Sequence, residues 1–326
     1  GQRLNEYEDE INKYLNNSNE DKKEIKLVAD NINKVLSTTD NTELKDEKEN
    51  KIVVPAGFKI MEGTTTVDKG IVIEDATETA TKGSQFVWIP VGTITKADGT
   101  TTTVTLGRYD FNSTTGVESV YSGDYVEEDT NDSTTIQNKG NTIAKNITNF
   151  KNSVAQNGGY YIGRYEARTT TVRNAAENAL TQITEKGTEN VYNYVTQLQA
   201  AQLSQNMYNS SKFTSDLMNS YAWDTAIVFI QNCGTNNKYS RQNGYTGSLA
   251  QTGTKEDVQC NIFDMASNIR EWTTETYHDS STPCVVRGGN YYMKDLYTSL
   301  RYYGFVSGSS GSIISIGFRP ILYLNV

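Results

Sequence analysis

The sequence has few of the residues on which common catalytic and metal-binding sites depend. Its 326 residues include only one histidine and three cysteines. Proline is also scarce, with four residues. The single histidine, His278, excludes sites built from several histidines, and its polar neighbours are typical of a solvated loop. The glycine patterns of P-loops and of dinucleotide-binding folds are also absent. Catalysis by a histidine-activated nucleophile would therefore depend on one residue.

Basic charge and long apolar runs are scarce as well. The chain has 30 basic and 39 acidic residues, which gives a net charge of −9. A chain this acidic has no general attraction to phosphate backbones, so we predict no nucleic-acid partner. No apolar run approaches the roughly 20 residues that a membrane-spanning helix needs. We therefore predict no direct insertion into a membrane.

The three cysteines, Cys233, Cys260 and Cys284, are too far apart for a CxxC redox or zinc pattern. An odd count permits one disulfide and leaves one thiol over. Three buried structural thiols are the other interpretation, and the sequence leaves both open.

Tyrosine, in contrast, is abundant: there are 21 tyrosines and only 9 phenylalanines. A protein core prefers phenylalanine, whereas tyrosine is common on recognition surfaces. This excess favours a binding protein.

The N-terminal residues show the apolar spacing of helices. Two stripes, over 4–15 and 25–36, predict two helices, and the polar run 37–50 predicts a linker. Each stripe is narrow, so we interpret residues 1–50 as a helical stalk or attachment segment with a linker.

From residue 51 onward, short β-rich runs alternate with turn residues. Residues 195–207 and 217–230 are predicted to be helices, and 100–106 to lie in a hairpin that precedes a long surface loop. Strands with a few helices and much irregular chain indicate the α+β class.

One segment, Asp264–Trp272, combines two carboxylates, an amide and a hydroxyl. Calcium binds such hard oxygen ligands, commonly six to eight of them. The alternative is a loop in which aspartate and asparagine side chains cap turns.

Five short motifs occur in an order that is typical of one family. They are Phe86–Val91, Tyr160–Glu166, Ser267–Trp272, Val286–Asn290 and Ile316–Pro320. Together they resemble the formylglycine-generating enzyme, or sulfatase-modifying factor, domain, and the resemblance covers roughly Ile52 to the C-terminus. It implies that residues 51–326 form a ligand-binding domain with a C-type-lectin-like fold.

The resemblance also bears on catalysis. The enzymes of this family use two cysteines after the Arg-Gly-Gly motif to bind copper and activate oxygen. Their places fall at about Met293 and Thr298 in this chain. A thioether and a hydroxyl cannot replace a thiolate pair, so we predict no copper and no enzymatic activity.

A calcium site is implied by the resemblance at the segment Asp264–Trp272. The side chains of Asp264 and Glu271 and the backbone carbonyls of Ser267 and Ile269 would be its ligands. We therefore expect Ca²⁺ as a structural ion.

The same fold occurs in bacterial and phage proteins diversified by retroelements, in which Arg-Gly-Gly and Ile-Gly-Phe-Arg bracket a variable binding face. Residues 290–315 occupy that place here and contain six Ser and five Tyr, together with two Ile, one Asp and one Asn. Adenine-directed mutagenesis of asparagine codons yields these five residue types among others. Tyrosine supplies rigid contact area, and serine and glycine adapt. The alternative is that these tyrosines alternate along strands, with one face packed and the other solvated.

The contact residues are expected between the two bracketing motifs, and the scaffold residues within the motifs themselves. The contact face is predicted to consist of Asn290, Tyr291, Tyr292, Lys294, Asp295, Tyr297, Ser299, Arg301 and Tyr303. The scaffold is predicted to consist of Arg287, Gly288, Gly289, Gly317, Phe318 and Arg319, with glycines at close backbone approaches and arginines in internal pairs.

These observations predict a non-catalytic bacterial surface or secreted protein, anchored through an N-terminal segment that has been removed. Its partner would be a protein or glycan on another cell or on a phage host. The alternatives are a metal-dependent oxidase or oxygenase, and a structural component of a pilus or phage tail.

Overall fold

The computed structural model describes residues 2–20, 25–127, 146–177, 179–254, 256–277, 281–305 and 313–326. His278 and part of the predicted variable stretch, 306–312, lie outside the described residues. The α-helices within those ranges are α1 Gln2–Glu20, α2 Ile147–Asn157, α3 Gln197–Gln205 and α4 Ser220–Cys233. The strands in the first half are β1 Thr42–Lys45, β2 Lys51–Val54, β3 Phe58–Ile60, β4 Val72–Asp75, β5 Gln85–Pro90, β6 Gly92–Thr95, β7 Thr101–Val104, β8 Tyr109–Phe111 and β9 Glu118–Val120. Those in the second half are β10 Gly159–Gly163, β11 Arg168–Thr169, β12 Asn190–Val191, β13 Phe213–Leu217, β14 Val258–Gln259, β15 Ile262–Phe263, β16 Arg270–Thr276, β17 Cys284–Arg287, β18 Arg301–Phe305, β19 Ile316–Phe318 and β20 Pro320–Leu324.

A six-stranded sheet, in the order β13-β20-β10-β5-β4-β3, forms the centre of the molecule. Successive side chains of a strand point to opposite faces. Phe86 and Trp88 of β5 join one apolar core, and Val87 and Ile89 join the other. Because both faces are covered, this strand reads as one continuous apolar run.

Helices cover one face of this sheet. The side chain of Asn219 caps α4 by accepting a hydrogen bond from the Ala222 amide, and the apolar residues Ala226, Ile227 and Ile230 are buried. Helix α2 adds Phe150 to the same core. The predicted helices at 195–207 and 217–230 are confirmed as α3 and α4, whereas α2 escaped the sequence analysis.

A second sheet, in the order β18-β17-β16-β19, brings three of the five sequence motifs together. Strands β16 and β19 pair in parallel, so that Glu271 lies beside Gly317. Gly288 has a φ of +85°, and a Cβ there would lie 2.5 Å from the Met265 carbonyl oxygen. Only glycine fits such a close approach, as expected of the scaffold.

Residues 25–50 differ from the prediction. The second predicted helix is limited to the short 3₁₀ turn Ala29–Asn31, and the predicted linker contains β1, which pairs with β2. Val28 and Leu44 are buried in the core. The helix-and-linker description of these residues is therefore wrong, because packing against the sheet outweighs their local helical pattern. The predicted hairpin near 100–106 is confirmed as β6–β7, with its first strand earlier in the chain.

The first predicted helix is confirmed as α1, although it continues through the expected break to Glu20. Its apolar stripe is exposed, with Leu4 72% and Tyr14 81% accessible. Among the described residues, no helix is long and apolar enough to cross a membrane. The mixture of helices and several small sheets fits the predicted α+β class. The attachment role of residues 1–50 stays a prediction.

Candidate functional site

The predicted contact face begins after β17 and continues into β18. Tyr292, Tyr302 and Tyr303 are 47%, 47% and 39% accessible, which is unusual for large aromatic side chains. Lys294 and Asp295 are exposed. This segment therefore presents both aromatic and charged groups to solvent.

Three residues of the predicted face have internal contacts instead. Asn290 is fully buried, and its Oδ1 accepts hydrogen bonds from the amides of Tyr292 and Met293. The Ser299 hydroxyl donates to the Ser240 carbonyl oxygen at 2.8 Å. Arg301 forms ion pairs with Asp224 and Glu275. These three side chains shape the face rather than extend from it.

Part of this segment, within residues 297–303, forms one wall of a groove with a volume of about 460 Å³, whereas Tyr292, Lys294 and Asp295 do not line it. The second wall comes from the hairpin β8–β9 and the loop after it. We call this feature the tyrosine groove, after the aromatic side chains that line it: Tyr109, Phe111, Tyr121, Tyr125, Tyr277, Tyr297 and Tyr303. A cavity of this size, with aromatic walls and a few polar groups, is typical of a small-molecule site.

Three tyrosines join the two walls. The ring centroids of Tyr277 and Tyr303 are 4.6 Å apart, and those of Tyr125 and Tyr277 are 5.0 Å apart. A β-bridge between Val126 and Thr276 connects the corresponding backbone segments. Burial raises the pKa of Tyr125 to about 12, so its hydroxyl remains protonated at neutral pH.

Beneath the groove lies a buried group of charges, which we call the Arg301 cluster: Arg301, Arg287, Arg108, Asp224 and Glu275. Arg287 donates to Asp224 at 2.7 Å, and Arg108 donates to Glu275 at 2.8 Å. Burial by itself would raise the pKa of Glu275, but the neighbouring arginine charges lower it overall. The floor of the groove is therefore built from buried ion pairs.

The segment predicted to bind calcium lies in a different group, the Arg319 cluster: Arg319, Glu271, Glu166, Glu185 and Asp264. Arg319 contacts both carboxylate oxygens of Glu271, at 2.8 and 3.1 Å. Both oxygens of Asp264 also accept hydrogen bonds, from Ser267 Oγ and the Gly253 amide. Arg319 already neutralises Glu271, so the residues do not fit a calcium ion held by all four predicted ligands.

The Arg319 cluster has more carboxylates than arginines, and its pKa values reflect this. Burial and the charge of Asp257 raise the pKa of Asp264 to about 7. Burial also raises the pKa of Glu166 and Glu185 well above the ordinary range. One oxygen of Glu185 is buried without a hydrogen-bond partner among the described residues. Protonation of some of these groups reduces the charge of the cluster.

The order of the motifs agrees with a comparison against protein families. The sequence matches the sulfatase-modifying factor enzyme 1-like domain over residues 38–323. The chain belongs to this family. Comparisons with curated proteins and with solved structures found no match.

Met293 and Thr298 are the residues that the resemblance predicts at the places of the enzymes' two cysteines. Met293 is 37% accessible at the exposed face, and Thr298 is buried. Among the described residues, the Thr298 hydroxyl has no hydrogen-bond partner. The buried Trp223 side chain fixes the backbone of Thr298, because its indole donates a hydrogen bond to the Thr298 carbonyl oxygen at 2.9 Å.

The three cysteines are free thiols. Burial raises the pKa of Cys233 and of Cys284 to about 12, and it raises that of Cys260 as well. Thiols with such pKa values are protonated at neutral pH and are poor nucleophiles and metal ligands. None of them is placed as a thiolate pair beside the exposed face.

Sequence analysis missed the second wall of the groove. Its strands have three residues each, too few for a periodic pattern. The signal that could have found it was the density of aromatic residues in the stretch Tyr109–Tyr125, which matches that of the predicted face.

Proposed function

We propose that this member of the sulfatase-modifying factor family is a non-catalytic binding protein and that the tyrosine groove is its ligand site. The observation that carries the proposal is a groove lined by seven aromatic side chains, among which Tyr303 is 39% accessible. Exposed aromatic side chains of this kind supply large rigid contact areas at low conformational cost.

The absence of a thiolate pair supports binding over catalysis. A copper-dependent oxidation of cysteine would need ligands where Met293 and Thr298 stand, and the three thiols lie elsewhere with raised pKa values. The test is incubation with a cysteine-containing sulfatase peptide and copper, followed by mass spectrometry for the aldehyde. We expect no aldehyde, and its formation would favour the oxidase alternative.

The finer identity that we propose is a retroelement-diversified variable protein with a C-type-lectin-like fold. Its support is the composition of residues 290–315 between the Arg-Gly-Gly and Ile-Gly-Phe-Arg motifs. The test is sequencing of the gene in sister cells. Substitutions confined to 290–315, with a near-copy template and a reverse transcriptase gene nearby, are the expected result; uniform scatter along the gene would contradict it.

Such a protein would act outside the cell or at the bacterial surface. Residues 1–50 would attach it, and a protein or glycan of another cell or phage host would be its partner. The exposed apolar stripe of α1 supports an attached rather than a free helix. Regular self-assembly of the purified chain would instead favour the structural alternative, a pilus or tail component.

The binding test is a screen of the purified protein against arrayed glycans and purified cell-surface proteins, repeated with variants. Tyr297→Ala and Tyr303→Ala should weaken any binding at least tenfold, because each removes an aromatic side chain that lines the groove. Tyr14→Ala is the matched control, since Tyr14 is 81% accessible but lies on α1. Equal binding by all three variants would refute the proposed site.

A further inference from the structure

The tyrosine groove contains one arginine whose charge is not neutralised. The Arg241 guanidinium lies 3.8 Å from the centre of the Tyr297 ring. Among the described residues no carboxylate lies within ion-pair distance of it, whereas Arg301 and Arg108 of the same region are both paired. Arg241 therefore presents the donors of its planar fork to the groove.

The backbone around Arg241 is firmly held. It ends the 3₁₀ turn Tyr239–Arg241, in which Tyr239 is buried and donates a hydrogen bond to Asp257 at 2.7 Å. The Ser240 amide donates to the Gln231 side chain, and its carbonyl oxygen accepts from the Ser299 hydroxyl. A donor group held in this way binds a partner with little loss of conformational entropy.

The free polar groups of the groove restrict the chemistry of its ligand. A planar guanidinium favours a carboxylate, which it binds through two parallel hydrogen bonds. The opposite wall carries two carboxylates, Asp124, which is exposed, and Asp110, which accepts hydrogen bonds from Ser122; both can accept hydrogen bonds from ligand hydroxyl groups, and the carboxylate of the ligand must bind at the Arg241 side, away from them. The tyrosine faces offer apolar surface to a ring, and about 460 Å³ accommodates a ligand of one or two rings.

We infer that the tyrosine groove binds a saccharide bearing a carboxylate, with Arg241 holding the carboxylate and the tyrosines packing against the sugar ring. This inference deepens the proposed function and depends on it. Arg241 lies outside residues 290–315, although Tyr297, on which it stacks, lies inside that segment. The groove would thus combine a fixed anion contact with an adaptable aromatic wall.

The test is isothermal titration calorimetry with three acidic probes, glucuronic acid, N-acetylneuraminic acid and digalacturonic acid, beside the neutral disaccharide galactobiose. At least one acidic probe should bind, and galactobiose should bind at least tenfold more weakly. Arg241→Gln should weaken acidic binding at least tenfold, and Arg241→Lys should weaken it less, because an ammonium keeps the charge but lacks the fork.

Lys151→Gln is the matched control, since Lys151 also stacks on a tyrosine, Tyr221, at 4.2 Å but lies outside the groove. It should bind like the unmodified protein, and melting temperatures should show that all variants are folded. Inorganic sulfate and acetate, titrated in parallel, should bind more weakly than the acidic sugars.

Three outcomes would overturn the inference, and they separate it from the proposed function. Equal affinity for galactobiose, or an Arg241→Gln variant of unchanged affinity, would refute the carboxylate contact but leave the groove as a ligand site. Failure of every sugar, with another arrayed ligand still sensitive to Tyr303→Ala, would refute the saccharide alone. Failure of every sugar and of every arrayed ligand would refute both.

Discussion

The Arg319 cluster and the Arg301 cluster are buried to a similar degree, yet the pKa values of their carboxylates, where they shift, shift in opposite directions. In the Arg319 cluster one arginine faces several carboxylates, and the pKa values of Glu166 and Asp264 are raised. In the Arg301 cluster three arginines face two carboxylates, and the pKa of Glu275 is lowered.

Burial disfavours the charged form of a carboxylate in both places. The difference is therefore set by the number of arginines within reach. The first cluster contains residues of three sequence motifs, Glu166, Glu271 and Arg319, and the second forms the floor of the tyrosine groove. Carboxylates of the first thus have raised pKa values, whereas the pKa of Glu275 in the second is lowered.

The largest effect is expected from removing the single arginine of the first cluster. Arg319→Met leaves Glu271 buried without its ion pair, and it should lower the free energy of unfolding by about 3–5 kcal/mol. Urea denaturation at pH 7 measures the loss. Adding Glu271→Gln should restore part of it, and a loss below about 1 kcal/mol would contradict the pairing.

The same substitution in the second cluster should cost less. Arg301→Met leaves Asp224 paired with Arg287 and Glu275 paired with Arg108, so we expect a loss of about 1–3 kcal/mol. Denaturation under the conditions used for Arg319→Met tests the comparison. A loss equal to that of Arg319→Met would show that the additional arginines do not compensate.

The pH dependence of stability should differ between the clusters. Asp264 keeps its proton in the folded protein up to a pKa of about 7, whereas the unfolded chain releases it near pH 4. Stability therefore falls as the pH rises from about 4 to 7. Asp264→Asn should reduce this slope, to which Glu166 and Glu185 contribute with the same sign, and should stabilise the protein by roughly 1–2 kcal/mol at pH 8, as measured by denaturation across that range.

Glu275→Gln is the opposing control. The pKa of Glu275 is lowered in the folded state, so its contribution to stability is present above about pH 4.5 and lost on acidification. This variant should be destabilised at pH 7 and much less so at pH 3. The same pH profile for both variants would contradict the distinction between the clusters.

The smallest effect is expected from calcium. Since Arg319 occupies both oxygens of Glu271, millimolar calcium or a chelator should change the melting temperature by less than about 1 °C. A shift of several degrees with calcium, reversed by the chelator, would show that the ion displaces the arginine.

The parts that the sequence predicted are those whose signal is local. The run Phe86–Val91 is apolar because both faces of β5 are buried, and the α4 sequence carries its own cap at Asn219. The calcium expectation depended on a segment whose ion-pair partner, Arg319, lies 48 residues beyond Glu271. Spacing within the segment could not reveal a partner so distant in sequence.

The groove was only half predictable for the same reason. Its aromatic wall after β17 is marked by composition, but the opposing hairpin becomes a wall only through long-range contacts. One is the bond from Arg301 to the Tyr109 carbonyl oxygen, across 192 residues. The prediction for residues 25–36 was wrong for the opposite reason: a local helical pattern was present, and contacts with the sheet overrode it.

The positions of the aromatic side chains also separate two optical signals. All three tryptophans, Trp88, Trp223 and Trp272, are fully buried, whereas the tyrosine groove contains none. Fluorescence excited at wavelengths that only tryptophan absorbs therefore reports on the interior. Six of the 21 tyrosines line the groove, so the near-ultraviolet absorbance of tyrosine reports on the groove in part. Trp223 links the interior to the exposed face, because its indole donates a hydrogen bond to the Thr298 carbonyl oxygen beneath that face. A ligand that merely occupies the groove would alter the tyrosine spectrum, and one that rearranges its floor would alter both.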